Sequence, residues 1–164
     1  MRFPLPNPRA LNAVMAAAAA ALLAYAYYLQ LVVGLQPCNL CILQRVALIA
    51  VVLVLAGAAA HGAKGWGRGL WALLVGLAGA VGAGIAGWHV RMQHLPPDQI
   101  PACGPGIDYL LDVMPAIEAL QEVFTASGEC ANVDWTLFGQ SMPVWTLLAF
   151  IGFGAVGVWN NLRR

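Results

Sequence analysis

The chain has 164 residues, 61% of them hydrophobic and 9% charged, with a mean hydropathy of +0.75 and a net charge of +1. Soluble globular domains carry about a quarter charged residues, so the composition excludes that class and indicates a chain solvated largely by lipid.

Four apolar runs, 11–35, 42–60, 69–90 and 143–160, can each cross a hydrocarbon core of about 30 Å, which needs roughly 20 helical residues. The expected fold class is an all-α membrane protein: a four-transmembrane-helix bundle forming one membrane domain over 1–164. The first run follows Arg2 and Arg9, and with Ala24-Tyr25-Ala26 it has the outline of a cleavable signal peptide. Its apolar stretch continues to Leu35, well past a signal core of about 7–15 residues, so a retained span is expected. Lys64 and Arg68 lie between the second and third runs, and Arg163 and Arg164 follow the fourth. By the positive-inside rule these segments and the amino terminus share the cytoplasmic side, giving an N-in, C-in topology. The loops are then 36–41 and 91–142 outside and 61–68 inside. All seven acidic residues fall between the third and fourth runs, so that loop is the only sizeable water-facing piece.

The first outer loop opens the second run with "PCNLC", which places Cys38 and Cys41 at CxxC spacing, the spacing of thiol–disulfide chemistry. If a helix begins near Cys38, Cys41 and Arg45 stand one turn apart on one face. The helix amino end favours a thiolate, and a neighbouring guanidinium favours it further. Cys41 is then the more readily ionised thiol, unless Arg45 merely reaches for lipid headgroups.

The third run carries Gly76, Ala80 and Gly84, and also Gly79, Ala83 and Gly87, small residues at four-residue spacing that permit close helix contacts in lipid. In the long loop, "PPDQIPACGP" is irregular and presents Cys103. Residues 107–124 place Leu110, Leu111, Met114, Ile117, Leu120 and Phe124 at helical spacing, which predicts a short amphipathic helix broken at Pro115. Its apolar face lies on the membrane surface or on the bundle. "TASGEC" then reads as a turn leading to Cys130.

All four cysteines thus lie on the outer side, which in a bacterial membrane is oxidising. A four-cysteine zinc site would show two close-spaced pairs, whereas 26 residues separate Cys103 from Cys130, so no metal is expected. A disulfide across that interval is as readily a structural staple, worth roughly 3–4 kcal/mol in the chain-entropy picture, as a chemical centre.

Four spans, "PCNLC" followed by Arg45, Cys103 in a proline-rich outer loop, "ASGEC", and "MPVW" opening the fourth span together resemble the DsbB family, the quinone-linked disulfide bond formation proteins of the bacterial inner membrane. The resemblance covers nearly the whole chain. It implies a thiol:quinone oxidoreductase that reoxidises a DsbA-like periplasmic thioredoxin-fold partner. The implied catalytic residues are Cys38, Cys41, Cys103 and Cys130. The partner attacks Cys103, the released Cys130 attacks Cys38, and Cys41 faces a bound ubiquinone or menaquinone from the membrane pool. Arg45 is the implied quinone-binding residue, and His89 stands near a position where the family carries a quinone-proximal histidine, or is an interfacial residue beside Trp88. Gln44 occupies a place where some family members have an acid.

The bilayer, the quinone pool and the DsbA-like protein are therefore the expected partners, with no nucleic acid. DsbA has an established potential of about −120 mV, against less than about −300 mV for structural disulfides. An ordinary disulfide would face roughly 8 kcal/mol uphill in oxidising it, so a quinone sink is energetically required, which supports an oxidant site beside Cys41. The other readings are a vitamin K epoxide reductase-like membrane oxidoreductase and a non-enzymatic scaffold with a stapled loop. The position of the distal pair before the last span and the lack of a further helix weigh against the former.

Overall fold

A computed structural model describes residues 7–62, 64–125 and 128–163. Arg2, Arg164 and the Ala126-Ser127 part of "ASGEC" lie outside the described residues. Helices α1 (Pro8–Leu31), α2 (Asn39–His61), α3 (Trp66–Gln93) and α6 (Met142–Leu162) are each long and apolar enough to cross a membrane. Between α3 and α6 come two short helices, α4 (Ile107–Val113) and α5 (Ala116–Thr125), a 3₁₀ turn at Gly128–Ala131, and a small antiparallel ribbon of β1 (Thr136–Leu137) and β2 (Gln140–Ser141).

The helix borders follow capping chemistry rather than hydropathy. Asn7 accepts from the Arg9 amide at 3.0 Å with Pro8 at the first helical position, so α1 starts before its apolar run. It ends at Leu31, leaving the exposed Val32 and Val33 in the connection. Helix α2 ends on Gly62 in the left-handed conformation (φ 54°), which a side chain would strain. Helix α3 runs past its apolar run to Gln93, carrying His89 and Arg91 within its last turns.

The core consists of Leu48, Val51 and Leu55 of α2, Val75 and Ala86 of α3, Met15 and Ala19 of α1, and Phe150 of α6. Of the small residues on α3, Gly79 marks the closest approach: a Cβ there would stand 2.8 Å from Gly154 Cα of α6. Gly82, outside both four-residue series, leaves room for the Phe150 ring, whereas Gly84 and Gly87 face open space.

At the end of the bundle away from the cysteines, polar groups hold the helices. Asn12 donates to Asn161 Oδ1 at 3.0 Å and accepts from Asn160 at 2.8 Å, joining α1 to α6. Arg9 donates to the His61 carbonyl at 3.2 Å and Arg68 to that of Asn161 at 3.1 Å. The three asparagines are buried, where an unpaired amide would be costly in lipid, whereas the Arg9 bond is exposed at the helix ends.

At the cysteine end, the amphipathic segment does break at Met114-Pro115 into α4 and α5. Its buried face is Leu110, Ala119 and Val123, packed on Leu40 of α2 and Met92 of α3. The segment therefore caps the bundle, while Leu111, Ile117 and Leu120 remain exposed.

Candidate functional site

The site is built on the amino end of α2. The first amides of a helix have no partner within it and form a positive end suited to anions and sulfur. Here each finds one from a cysteine or its neighbour. The Asn39 amide donates to Glu129 Oε1 at 3.4 Å, the Leu40 amide is directed at the Cys130 sulfur, and the Cys41 amide donates to Cys38 Sγ at 3.4 Å. The Gly128–Ala131 turn is thereby seated on α2. Asn39 extends the clamp, donating to the Pro105 carbonyl at 3.2 Å and accepting from the Ile107 amide at 2.9 Å, which ties the proline-rich segment and the start of α4 to the same helix end.

Three of the four thiols converge here. Cys38 and Cys41, both half-buried, have their sulfurs 2.9 Å apart as free thiols. Cys130 is 1% exposed, packs with Leu40 and Cys38, and its sulfur accepts a hydrogen bond from the Cys38 thiol. That bond, helped by the Leu40 amide, holds the Cys130 thiol below its ordinary pKa range; bonding to Cys130 and to Cys41 holds Cys38 above its own. Cys103 alone is exposed. Its neighbourhood meets the Cys130 turn through Gly128, whose amide donates to the Ala102 carbonyl at 3.4 Å.

His89, 2% exposed, completes the group. Gln44 Nε2 donates to His89 Nδ1 at 2.9 Å, so Nδ1 accepts and Nε2 carries the hydrogen, which is donated to the Cys130 carbonyl at 3.1 Å. The Cys130 carbonyl, which can only accept, sets this tautomer; the Thr146 hydroxyl, 2.5 Å from the Gln44 carbonyl oxygen and 3.0 Å from the Pro143 carbonyl, can serve either atom of the amide. Cys38 Sγ lies 3.9 Å from His89 Nε2.

Beside this cluster opens a cavity of about 590 Å³ between α1, α2, α3 and α6. Leu29, Leu48, Met142 and Phe150 are among its apolar walls; Cys38, Cys41, Gln44, Arg45 and His89 line it too. Arg45 is one turn along α2 from Cys41. Its guanidinium is turned to α1, donating to Gln30 Oε1 and to the Ala26 carbonyl at 3.1 Å, and stacks 5.0 Å over Tyr27.

The family profile described as "Disulfide bond formation protein DsbB" matches residues 8–160. The chain belongs to the DsbB family. Relatives named disulfide bond formation protein B include one from Nitrosococcus oceani, 49% identical over 88% of this chain and 85% of its own. Others come from Hahella chejuensis (46%; 90% and 89% of the two chains) and Saccharophagus degradans (42%; 98% and 96%). As a DsbB-family protein it is a multi-pass disulfide oxidoreductase of the bacterial inner membrane, and neither the vitamin K epoxide reductase-like reading nor the scaffold reading is favoured.

Sequence reasoning singled out Cys38, Cys41, Cys103, Cys130, Arg45 and His89, and the fold brings all but Cys103 to one cluster or the cavity beside it. It missed Glu129, Asn39 and Thr146, which position the others, and it noted Gln44 as a departure beside Arg45 without its role on His89. The adjacency of Glu129 to Cys130 was the one available signal; the pairing of Gln44 with His89 joins residues 45 apart in sequence and had none.

Proposed function

We propose that the chain is a quinone-dependent thiol oxidase whose cysteines face the periplasm, with both termini cytoplasmic, and that it reoxidises a DsbA-like thioredoxin-fold partner. The observation that carries this is the seating of Cys130 on Cys38 while Cys41 lines an apolar cavity. The exposed Cys103, in disulfide with Cys130, takes the attack of the partner's thiolate and releases Cys130 as a thiolate. The Leu40 amide and the Cys38 position favour that anion and aim it. Cys130 attacks Cys38 in the Cys38–Cys41 disulfide, and Cys41 leaves as a thiolate at the cavity wall. Each exchange forms one disulfide and breaks one, so the electron pair moves from loop to cavity without gain or loss.

The cavity fits a quinone head: its walls are largely apolar, and Gln44 and Arg45 of α2 and His89 of α3 are among the polar groups that line it, with Thr146 of α6 and Glu129 and Asp134 of the long loop. A bound ubiquinone or menaquinone supplies an acceptor for two electrons and two protons. Arg45 would hold a quinone oxygen. Its two bonds to α1 and its stacking on Tyr27 immobilise the guanidinium and leave further N–H groups of its five for a ligand. His89, held in one tautomer by the Cys130 carbonyl, keeps a proton at Nε2 beside the sulfurs.

Anaerobic mixing of the purified protein with reduced DsbA-like partner and quinone tests the reading. Quinone absorbance is expected to fall by one equivalent per partner oxidised; no loss would return the chain to a stapled scaffold. Arg45→Met is expected to weaken apparent quinone affinity about 10-fold or more, as losing a charged hydrogen bond does. Unchanged affinity with a lowered melting temperature would reduce Arg45 to a tie between α1 and α2.

A further inference from the structure

Spacing within the chain argues against a four-cysteine zinc site, but the fold assembles a different ligand set. Cys38 Sγ, Cys41 Sγ and a ring nitrogen of His89, contributed by α3, lie within 4.8 Å of one another. We propose that the fully reduced protein binds a zinc-class cation through Cys38, Cys41 and His89 Nε2, with water in the fourth position, and that this occupancy holds the enzyme off its oxidation cycle.

Tetrahedral zinc has bonds of about 2.3 Å to sulfur and about 2.0–2.1 Å to imidazole nitrogen, which places neighbouring ligand atoms roughly 3.5–3.8 Å apart. The separation of Cys38 Sγ and His89 Nε2, 3.9 Å, needs to close by only about 0.3 Å to match the sulfur–nitrogen edge. The two sulfurs, at 2.9 Å, need to part by about 0.9 Å, within reach of small side-chain rotations at the first turn of α2. The donors are two thiols and an imidazole, the soft and borderline set that selects zinc over magnesium or calcium. Cys130 is excluded from the ligands because its sulfur stands outside the mutually close group.

The surroundings also fit. A histidine bound through Nε2 must carry its proton on Nδ1 and donate it, usually to a fixed acceptor that raises ligand affinity. Gln44 is placed for this: once His89 Nε2 exchanges its bond to the Cys130 carbonyl for the metal, turning the amide over presents Oε1 to Nδ1 and the Gln44 Nε2 to the Thr146 hydroxyl. Binding displaces one proton from each thiol, and nothing is oxidised or reduced. Only the dithiol has these ligands, because the disulfide offers no thiolate. Metal binding and disulfide formation at Cys38 and Cys41 are therefore mutually exclusive.

The test uses the full-length protein in detergent, reduced anaerobically, desalted and titrated with Co²⁺, then with Zn²⁺. One equivalent of cobalt is expected to give the visible bands of tetrahedral cobalt and a near-ultraviolet sulfur-to-cobalt band, both abolished by zinc. The same protein with Cys38 and Cys41 oxidised should show neither, a control that needs no variant to fold. Cys130→Ser should keep the bands, His89→Ala should lose the tetrahedral pattern, and Gln44→Ala should weaken affinity 10- to 100-fold, as loss of an outer-shell partner does. Absence of the sulfur-to-cobalt band in the reduced protein, or bands equally strong in Cys41→Ser or in the oxidised protein, would overturn the site. Turnover measured in chelator reads the oxidase activity separately, so failure of one proposal is distinguishable from failure of the other.

Discussion

Cys130→Ser is expected to lower partner-driven quinone reduction on the order of 10⁴-fold or more, as removal of an obligatory nucleophile does. The reason lies in the position of Cys130 between the two ends of the relay. It is buried on Leu40 and Cys38, and it follows the turn whose Gly128 meets the segment before Cys103. Without its sulfur, Cys103 has no disulfide to offer the partner and Cys38 has nothing to attack it. The cavity side should be untouched, because Cys38, Cys41, Arg45 and His89 keep their places. Dithiothreitol, which can reduce the Cys38–Cys41 disulfide directly, should therefore drive quinone reduction in the variant at close to the wild-type rate. Assaying both reductants side by side checks this; equal losses with both would mean that the serine damages the cavity, and partner-driven turnover above a hundredth of wild type would remove Cys130 from the relay.

Gly128→Ala should separate the two halves of the relay without touching a sulfur. A Cβ at Gly128 would stand 2.1 Å from the Pro101 carbonyl oxygen, a backbone atom with no rotamer by which to escape. The segment before Cys103 and the turn before Cys130 must then move apart. Misplacement by about 1 Å costs on the order of 10²-fold where reacting groups must be aligned, and a loss of that size is expected in partner-driven turnover. Dithiothreitol-driven turnover should again survive. Gly106→Ala, at a position of extended backbone with open space around it, is the matching control. A rate for Gly128→Ala within twofold of that control would show that the two segments need not touch.

What the sequence made legible follows from the reach of each signal. The four spans are carried by composition within single stretches of chain, so they are visible without tertiary knowledge. The CxxC pair and Arg45 lie within eight residues of each other, where helical spacing alone decides proximity. The amphipathic segment was visible as a helix broken at Pro115, but its buried side was not fixed. Alternating acids allow either face, and it is Leu110, Ala119 and Val123 that pack on Leu40 and Met92, with Met114 and Phe124 beside them. The seating of Cys130 on α2 depends on two amides of one helix and a turn some 90 residues away, an arrangement no local pattern encodes. Arg45 shows the limit of spacing. It stands one turn from Cys41, as the helix requires, yet its guanidinium reaches across to Gln30 and Ala26 because α1 offers acceptors there.

The central claim is that the electron pair passes between loops through a Cys38–Cys130 disulfide. It is tested most directly by mixing the oxidised protein, without quinone and without oxygen, with a reduced DsbA-like partner that keeps only its nucleophilic cysteine. The reaction is quenched by alkylation and the disulfide-linked peptides are mapped by mass spectrometry. The expected products are a partner–Cys103 mixed disulfide, a Cys38–Cys130 disulfide and an alkylated Cys41 in the same molecule. An intact Cys38–Cys41 disulfide beside an alkylated Cys130 would contradict the relay.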